Sequence, residues 1–170
     1  MVIAGAIGLS FLCGGCAATH KVTRQIVGWV PWSRVDVETG SGSEKTVVAH
    51  KLTLRLRLSP FPVKLSETRR VEASIRLENA SARFVPLEFP TTERFDVILR
   101  NDRGKLLAQW SEDQPIDAVP GHVGINPGEH VEYSALLPTR DLQPGRRYSV
   151  TVFFPSQKGL TVELFFVPEP

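Results

Sequence analysis

Residues 94–111, RFDVILRNDRGKLLAQWS, decide the fold. Phe95, Val97 and Leu99 alternate with Asp96, Ile98 and Arg100, which gives an extended chain one apolar face at period two. Asn101-Asp102-Arg103-Gly104 follows with the chemistry of a tight turn, and Leu106 to Trp110 reads as the returning strand. The stretch predicts a β-hairpin that turns one face into the core of a sheet sandwich.

The same grammar extends in both directions. Leu52, Leu54, Leu56 and Leu58 alternate with Thr53, Arg55 and Arg57. Val71, Ala73, Ile75 and Leu77 repeat the pattern after a break at Ser66-Glu67-Thr68. Val85, Leu87 and Phe89 follow the turn residues Glu78-Asn79-Ala80-Ser81, and Pro90 ends that run. Val131, Tyr133, Ala135 and Leu137 follow Asn126-Pro127-Gly128-Glu129. Tyr148, Val150 and Val152 are expected to pair with Val162, Leu164 and Phe166 across residues 155–159. Short strands at regular intervals, with no long run at helical period, predict an all-β fold, an immunoglobulin-like antiparallel β-sandwich of about seven to nine strands. A closed barrel fits less well, because Pro60, Pro62, Pro86 and Pro90 point to open strand ends.

The chain has 170 residues, 42% hydrophobic and 22% charged, in the range of a folded domain with appendages. A net charge of +2 from 20 basic and 18 acidic residues spread along the chain is too little to make a case for nucleic-acid or polyanion binding, and no nucleic-acid partner is expected. Arg55 and Arg57, Arg69-Arg70 and Arg146-Arg147 read as solvated strand faces and ends. The only two cysteines, Cys13 and Cys16, stand near the start, which rules out a disulfide framework or a thiolate metal site in the strand-rich part.

Val2 to Leu12 carries no charge and is the length of a signal-peptide core, well short of a membrane span of about 20 residues. Cys13-Gly14-Gly15-Cys16 is similar to a bacterial lipoprotein signal in its two small residues and its cysteine. Small side chains there leave extended backbone open to a peptidase, and Cys16 is the expected lipidated residue. The expected organisation is therefore a lipoprotein signal peptide over 1–15, a tether over 16–46 and an immunoglobulin-like domain over 47–170, on an exported, membrane-anchored protein of the cell envelope. The tether holds Gly40-Ser41-Gly42-Ser43, of flexible composition, and an apolar patch with Trp29 and Trp32 that suits docking on the domain, the bilayer interface or a partner.

No catalytic constellation is present. His20, His50, His122 and His130 have no spacing that sets two metal ligands on one element, and no nucleophile-elbow motif occurs. Glu112, Asp113 and Asp117 have the charge for a Ca²⁺ loop but read as a solvated acidic loop. No metal site, cofactor, catalytic residue or small-molecule substrate is expected, and the protein is read as a non-enzyme. Asp96, opening a strand, can accept backbone N–H bonds in a turn, pair with Arg94 or Arg100, or face a partner; Trp110 reads as a plug between sheets. Trp110 to Gly124 is the longest loop available for a partner, and no single contact residue is singled out.

These pieces resemble the intracellular proteinase inhibitor (BsuPI) domain family. Val71-Glu72-Ala73-Ser74-Ile75-Arg76-Leu77-Glu78-Asn79-Ala80-Ser81 is similar to that family's strand ending in Asn and a small polar pair. Phe95-Asp96-Val97 is similar to its aromatic-Asp-apolar signature, and Asp102-Arg103-Gly104-Lys105 with Gln109-Trp110-Ser111 to its Gly turn and Trp-Ser ending. Leu142-Gln143-Pro144-Gly145-Arg146-Arg147-Tyr148-Ser149-Val150 is similar to its Pro-Gly loop and Tyr-bearing strand. The resemblance spans about residues 50 to 167; Ala108 and Ile116 depart from it where members carry aromatic residues. It implies an immunoglobulin-like sandwich that binds a protein, in the first instance a serine protease. The alternative is a structural or assembly module of the cell envelope without inhibitory activity.

Overall fold

The computed structural model describes the main chain of residues 36–39 and residues 42–170 in full. Cys13, Cys16, Trp29 and Trp32, on which the export signal and the apolar tether patch rest, lie outside the described residues, as does His20. Among the described residues, eleven strands run β1 (Asp36–Thr39), β2 (Glu44–Ala49), β3 (Leu52–Ser59), β4 (Arg70–Asn79), β5 (Val85–Phe89), β6 (Asp96–Asn101), β7 (Leu106–Gln109), β8 (Gly121–Ile125), β9 (His130–Pro138), β10 (Tyr148–Phe153) and β11 (Thr161–Phe166). A short 3-10 turn, Trp110–Asp113, is the one helical element among them.

The strands form a five-stranded sheet in the order β1-β2-β3-β4-β9, a four-stranded sheet in the order β11-β10-β6-β7 and a two-stranded ribbon of β5 and β8. Every strand pair is antiparallel, and each sheet has open edges. The alternating leucines of β3 and Val71, Ala73, Ile75 and Leu77 of β4 point into one core with Val97 and Leu99 of β6 and Val150 and Val152 of β10, all buried. That is the burial the period-two pattern predicts. The β10–β11 register is also as expected, with Tyr148 opposite Phe166, Val150 opposite Leu164 and Val152 opposite Val162.

The hairpin from residue 94 forms as expected. Gly104 takes a φ of 75°, and the Asn101 side chain accepts from the N–H groups of Arg103 and Lys105 at 3.0 and 2.9 Å. The return strand, however, ends at Gln109, and Trp110 begins the 3-10 turn instead of closing the strand. Pairing also begins before residue 47: β1 and the first residues of β2 lie in the stretch read as tether. A four-residue strand with no alternating apolar face, DVET, gives no period for sequence reading to detect. The stretch Trp110 to Gly124, read as one loop, contains most of β8, whose Gly121 and Gly124 break any strand pattern.

Two signature segments are spent on holding turns. Asn79 is fully buried; its amide donates to the carbonyls of Arg83 and Ile125 at 2.7 and 2.8 Å, and its oxygen accepts from the Ser81 N–H and hydroxyl. Tyr148 accepts the Gln143 N–H on its phenolic oxygen at 2.8 Å, which fixes the Pro144-Gly145 loop in the manner of a sandwich tyrosine corner.

Candidate functional site

The chain between Phe89 and β6 belongs to no sheet until Asp96, yet its residues hold the long loop that follows β7. Asp96 is 1% exposed on the side of β6 away from the core. Its carboxylate accepts from the Val97 N–H at 2.7 Å, the Ser111 N–H at 3.0 Å, the Ser111 hydroxyl at 2.8 Å and the Gln109 amide at 2.6 Å. The buried charge is thus satisfied by donors that close around it, the condition under which a buried carboxylate is tolerated. Of the three uses open to Asp96, the structure selects acceptance of backbone N–H groups, with side-chain donors from across the hairpin added. The next residue back, Phe95, stacks on Trp110 at 4.6 Å between centroids and 17° between planes, and tilts against Tyr133 at 4.9 Å. Trp110 is half-buried against the core and caps its edge.

Arg94 acts further along the same loop. Its guanidinium lies 4.7 Å over the Phe89 ring, donates to the Thr91 carbonyl at 2.8 Å, and fills the space that a side chain at Gly121 would take. Thr92 completes the set. The Thr92 N–H donates to the Asp117 carbonyl and the Asp117 N–H donates to the Thr92 hydroxyl, both at 2.9 Å. Thr92 and Asp96 therefore hold the chain after β7 by hydrogen bonds, at Asp117 and at Gln109 with Ser111, and Arg94 between them occupies the space beside Gly121. Burial in this corner pushes the Glu93 carboxyl above its ordinary value, with the Asp96 charge adding to the rise. Burial also raises the Tyr133 phenol, against an opposing pull from Arg94.

Between its grips the loop faces water. Ile116 is 44% and Val119 59% exposed, on a segment bounded by Pro115 and Pro120. Isolated exposed apolar side chains are ordinary, but two on one clamped, proline-bounded segment form a presented edge. A depression of about 790 Å³ adjoins its C-terminal foot, lined in part by Pro90, Pro120, Gly121, His122, Ser156 and Gln157. The Ser156 hydroxyl is buried there with no hydrogen-bond partner among the described residues.

The remaining sequence candidates do not converge. His50 meets the Lys158 carbonyl at 2.6 Å, His130 lies 3.5 Å from Glu132, and His122 stands on the exposed side of β8. Among the described residues, no group of three or more His, Cys, Asp and Glu is placed to hold a metal ion. Glu112 and Asp113 sit in the 3-10 turn, apart from the gripped Asp117. The polar face of the five-stranded sheet forms a second depression of about 660 Å³, where Arg55 pairs with Glu44 at 3.5 Å, and Arg76 with Glu78 at 3.4 Å and Glu132 at 3.5 Å. The Arg76 Nε approaches Glu78 without the geometry of a hydrogen bond, so that pair is an ion contact only. Among the described residues, no helix is long and apolar enough to cross a membrane.

Sequence reasoning named Asp96, Trp110 and the long loop, but gave Thr92 no part in the site and Arg94 only that of an ion partner for Asp96. The signal was available in the spacing of Thr92, Arg94 and Asp96, but it points at a loop and not at a core, so apolar periodicity could not reveal it.

Comparison with known proteins adds the following. A family model described as "BsuPI: Intracellular proteinase inhibitor" matches residues 62–159, more than half of the chain and all of the clamp and loop. No curated protein matches. Among solved structures, the chain is similar to the crystal structure of Bacteroides uniformis beta-glucuronidase at 15% identity and a TM-score of 0.36; the match covers 67% of this chain and 13% of that one.

Proposed function

The chain belongs to the intracellular proteinase inhibitor (BsuPI) family, and from that premise we propose that it acts by binding another protein, in the first instance a subtilisin-like serine protease, through the loop Gln114–Pro120. The observation that carries this reading is the pair of hydrogen bonds by which Thr92 fixes Asp117 in the middle of that loop, with Asp96 holding Ser111 just before it. A loop fixed before binding loses little conformational freedom when it is bound, and that saving is the usual source of tight binding by a small exposed segment. Ile116 and Val119 are the side chains it offers. No bond is made or broken by this protein in such a role; it occupies a partner's cleft.

Anchoring belongs to the same proposal. The uncharged run Val2 to Leu12 and the Gly14-Gly15-Cys16 sequence support export and attachment of lipid at Cys16, with the domain held in the cell envelope. Cys16→Ser is expected to shift the protein from the membrane to the soluble fraction; unchanged membrane recovery contradicts the anchor.

A second reading, an envelope assembly module that inhibits nothing, is favoured by one observation. The residues that carry the family likeness, Asn79, Phe95, Asp96, Trp110 and Ser111, are spent on turns and on the clamp, so the likeness reports the scaffold and not a contact surface. The test is inhibition of a panel of subtilisin-like proteases by the full chain and by Ile116→Asp. Inhibition that the substitution abolishes supports the first reading. Full protease activity at high micromolar concentrations of the wild-type chain leaves the second.

A further inference from the structure

Asp117 turns both its N–H and its C=O to one residue, Thr92, at 2.9 Å each. A residue directs both main-chain groups to the same side only when it is extended, and in an extended chain the neighbouring residues direct theirs to the opposite side. Ile116 and Ala118 therefore turn their N–H and C=O groups away from the domain. Neither makes a main-chain hydrogen bond among the described residues, and both are exposed. The loop thus has the alternation of a strand with one side already paired and the other open. On the open side the next positions are Gln114, whose N–H is spent on the Ser111 carbonyl, and Pro120, which has none, so the open edge is short.

Resting on the reading of this loop as the protein-binding element, we infer that the partner pairs with it as an added β-strand, through the main chain of Ile116 and Ala118. The chemistry that recognises such an edge is an extended backbone with its own unpaired N–H and C=O groups, as lines a protease cleft built to hold an extended peptide. Main-chain pairing supplies the attachment, and the side chains of the loop select among partners. The thermodynamic requirement is met on this chain's side, because the two residues need no internal bond broken before they pair.

The experiment is amide hydrogen exchange, residue by residue, on the full chain alone and with catalytically inactive subtilisin as the probe. In the free protein, the Asp117 amide should exchange more slowly than those of Ile116 and Ala118. In the complex, the Ile116 and Ala118 amides should become protected. A complex that forms while both amides exchange as in the free protein overturns the strand inference and leaves the loop-binding reading in place. Failure to form any complex overturns both. A variant pair gives a second readout: Ala118→Pro removes the N–H at a position preceded by an extended residue, where proline fits, and should weaken binding by about tenfold or more, while Ala118→Ser should bind like the wild type. Equal binding by the two variants overturns the inference, with an unchanged unfolding midpoint showing that the fold is intact.

Discussion

Thr91–Asp96 and Gln114–Pro120 are two irregular segments of similar length that lie against each other, and the chain uses them in opposite ways. The first is tied into the domain: Phe95 is 5% and Asp96 1% exposed, Thr92 bonds to Asp117 of the second segment, and Arg94 lies over Phe89 and beside Gly121, just past that segment's end. The second keeps its apolar side chains in water and takes its rigidity from outside itself. The difference teaches that a loop's order need not come from its own sequence. Prolines at its ends limit its freedom, but the hydrogen bonds that fix it start from residues about 25 positions earlier, from Thr92 to Asp117.

The contrast is broken most severely at Phe95. Phe95→Ala removes a buried ring stacked on Trp110 and should cost about 3–5 kcal/mol, read as a lowered denaturation midpoint. Asp96→Ala comes next. It leaves the Ser111 N–H without its acceptor, takes one of two acceptors from the Gln109 amide and should cost about 2–4 kcal/mol, whereas Asp96→Asn, which keeps an oxygen, should cost less. If Asp96→Ala unfolds like the wild type, the buried carboxylate is not what holds the two segments together.

Smaller changes sharpen the comparison. Ile116→Asp lies on the presented side and should change stability by no more than about 0.5 kcal/mol, while removing most of the binding. A large loss of stability there would show that Ile116 is packed and not presented. Glu93→Gln should have the smallest effect, and its sign is fixed. Burial, with the Asp96 charge beside it, holds the folded-state carboxyl above its ordinary pKa, so the folded chain binds the proton more readily than the unfolded one. Stability contributed by this group is therefore greatest below that value and falls as pH rises through the window up to the raised pKa. Glu93→Gln should make the protein slightly more stable at neutral pH and flatten this acid-side dependence, as a pH series of unfolding midpoints would show.

What was legible in the sequence divides along the same line. The sandwich was readable because its strands bury one face: the leucines of β3, the apolar residues of β4 and the β10–β11 register all follow from alternation. The Asn101 to Gly104 turn was readable from its chemistry. The strands β1, β2 and β8 were not. β1 has no apolar alternation, β2 buries only Val47 and Ala49, and β8 carries two glycines whose missing side chains admit the Arg94 guanidinium and the Phe84 ring. Asp96 was legible as an acceptor of backbone N–H groups, but its partners lie across a hairpin, and Trp110 was placed in a strand that stops one residue short of it. Thr92 and Arg94 share a two-residue spacing with Asp96, but what they do is set by what the fold brings opposite them.

Thr92 gives the most direct test of the claim that the clamp prepares the loop. Thr92→Val keeps the shape of the side chain and removes the hydroxyl that accepts the Asp117 N–H, without altering any residue of Gln114–Pro120. Inhibition constants against subtilisin, measured for the full wild-type chain and for Thr92→Val, should show the variant weaker by about tenfold, with a loss of stability of about 1 kcal/mol or less. Equal inhibition by the two proteins would contradict the account, since the loop would then bind without being held.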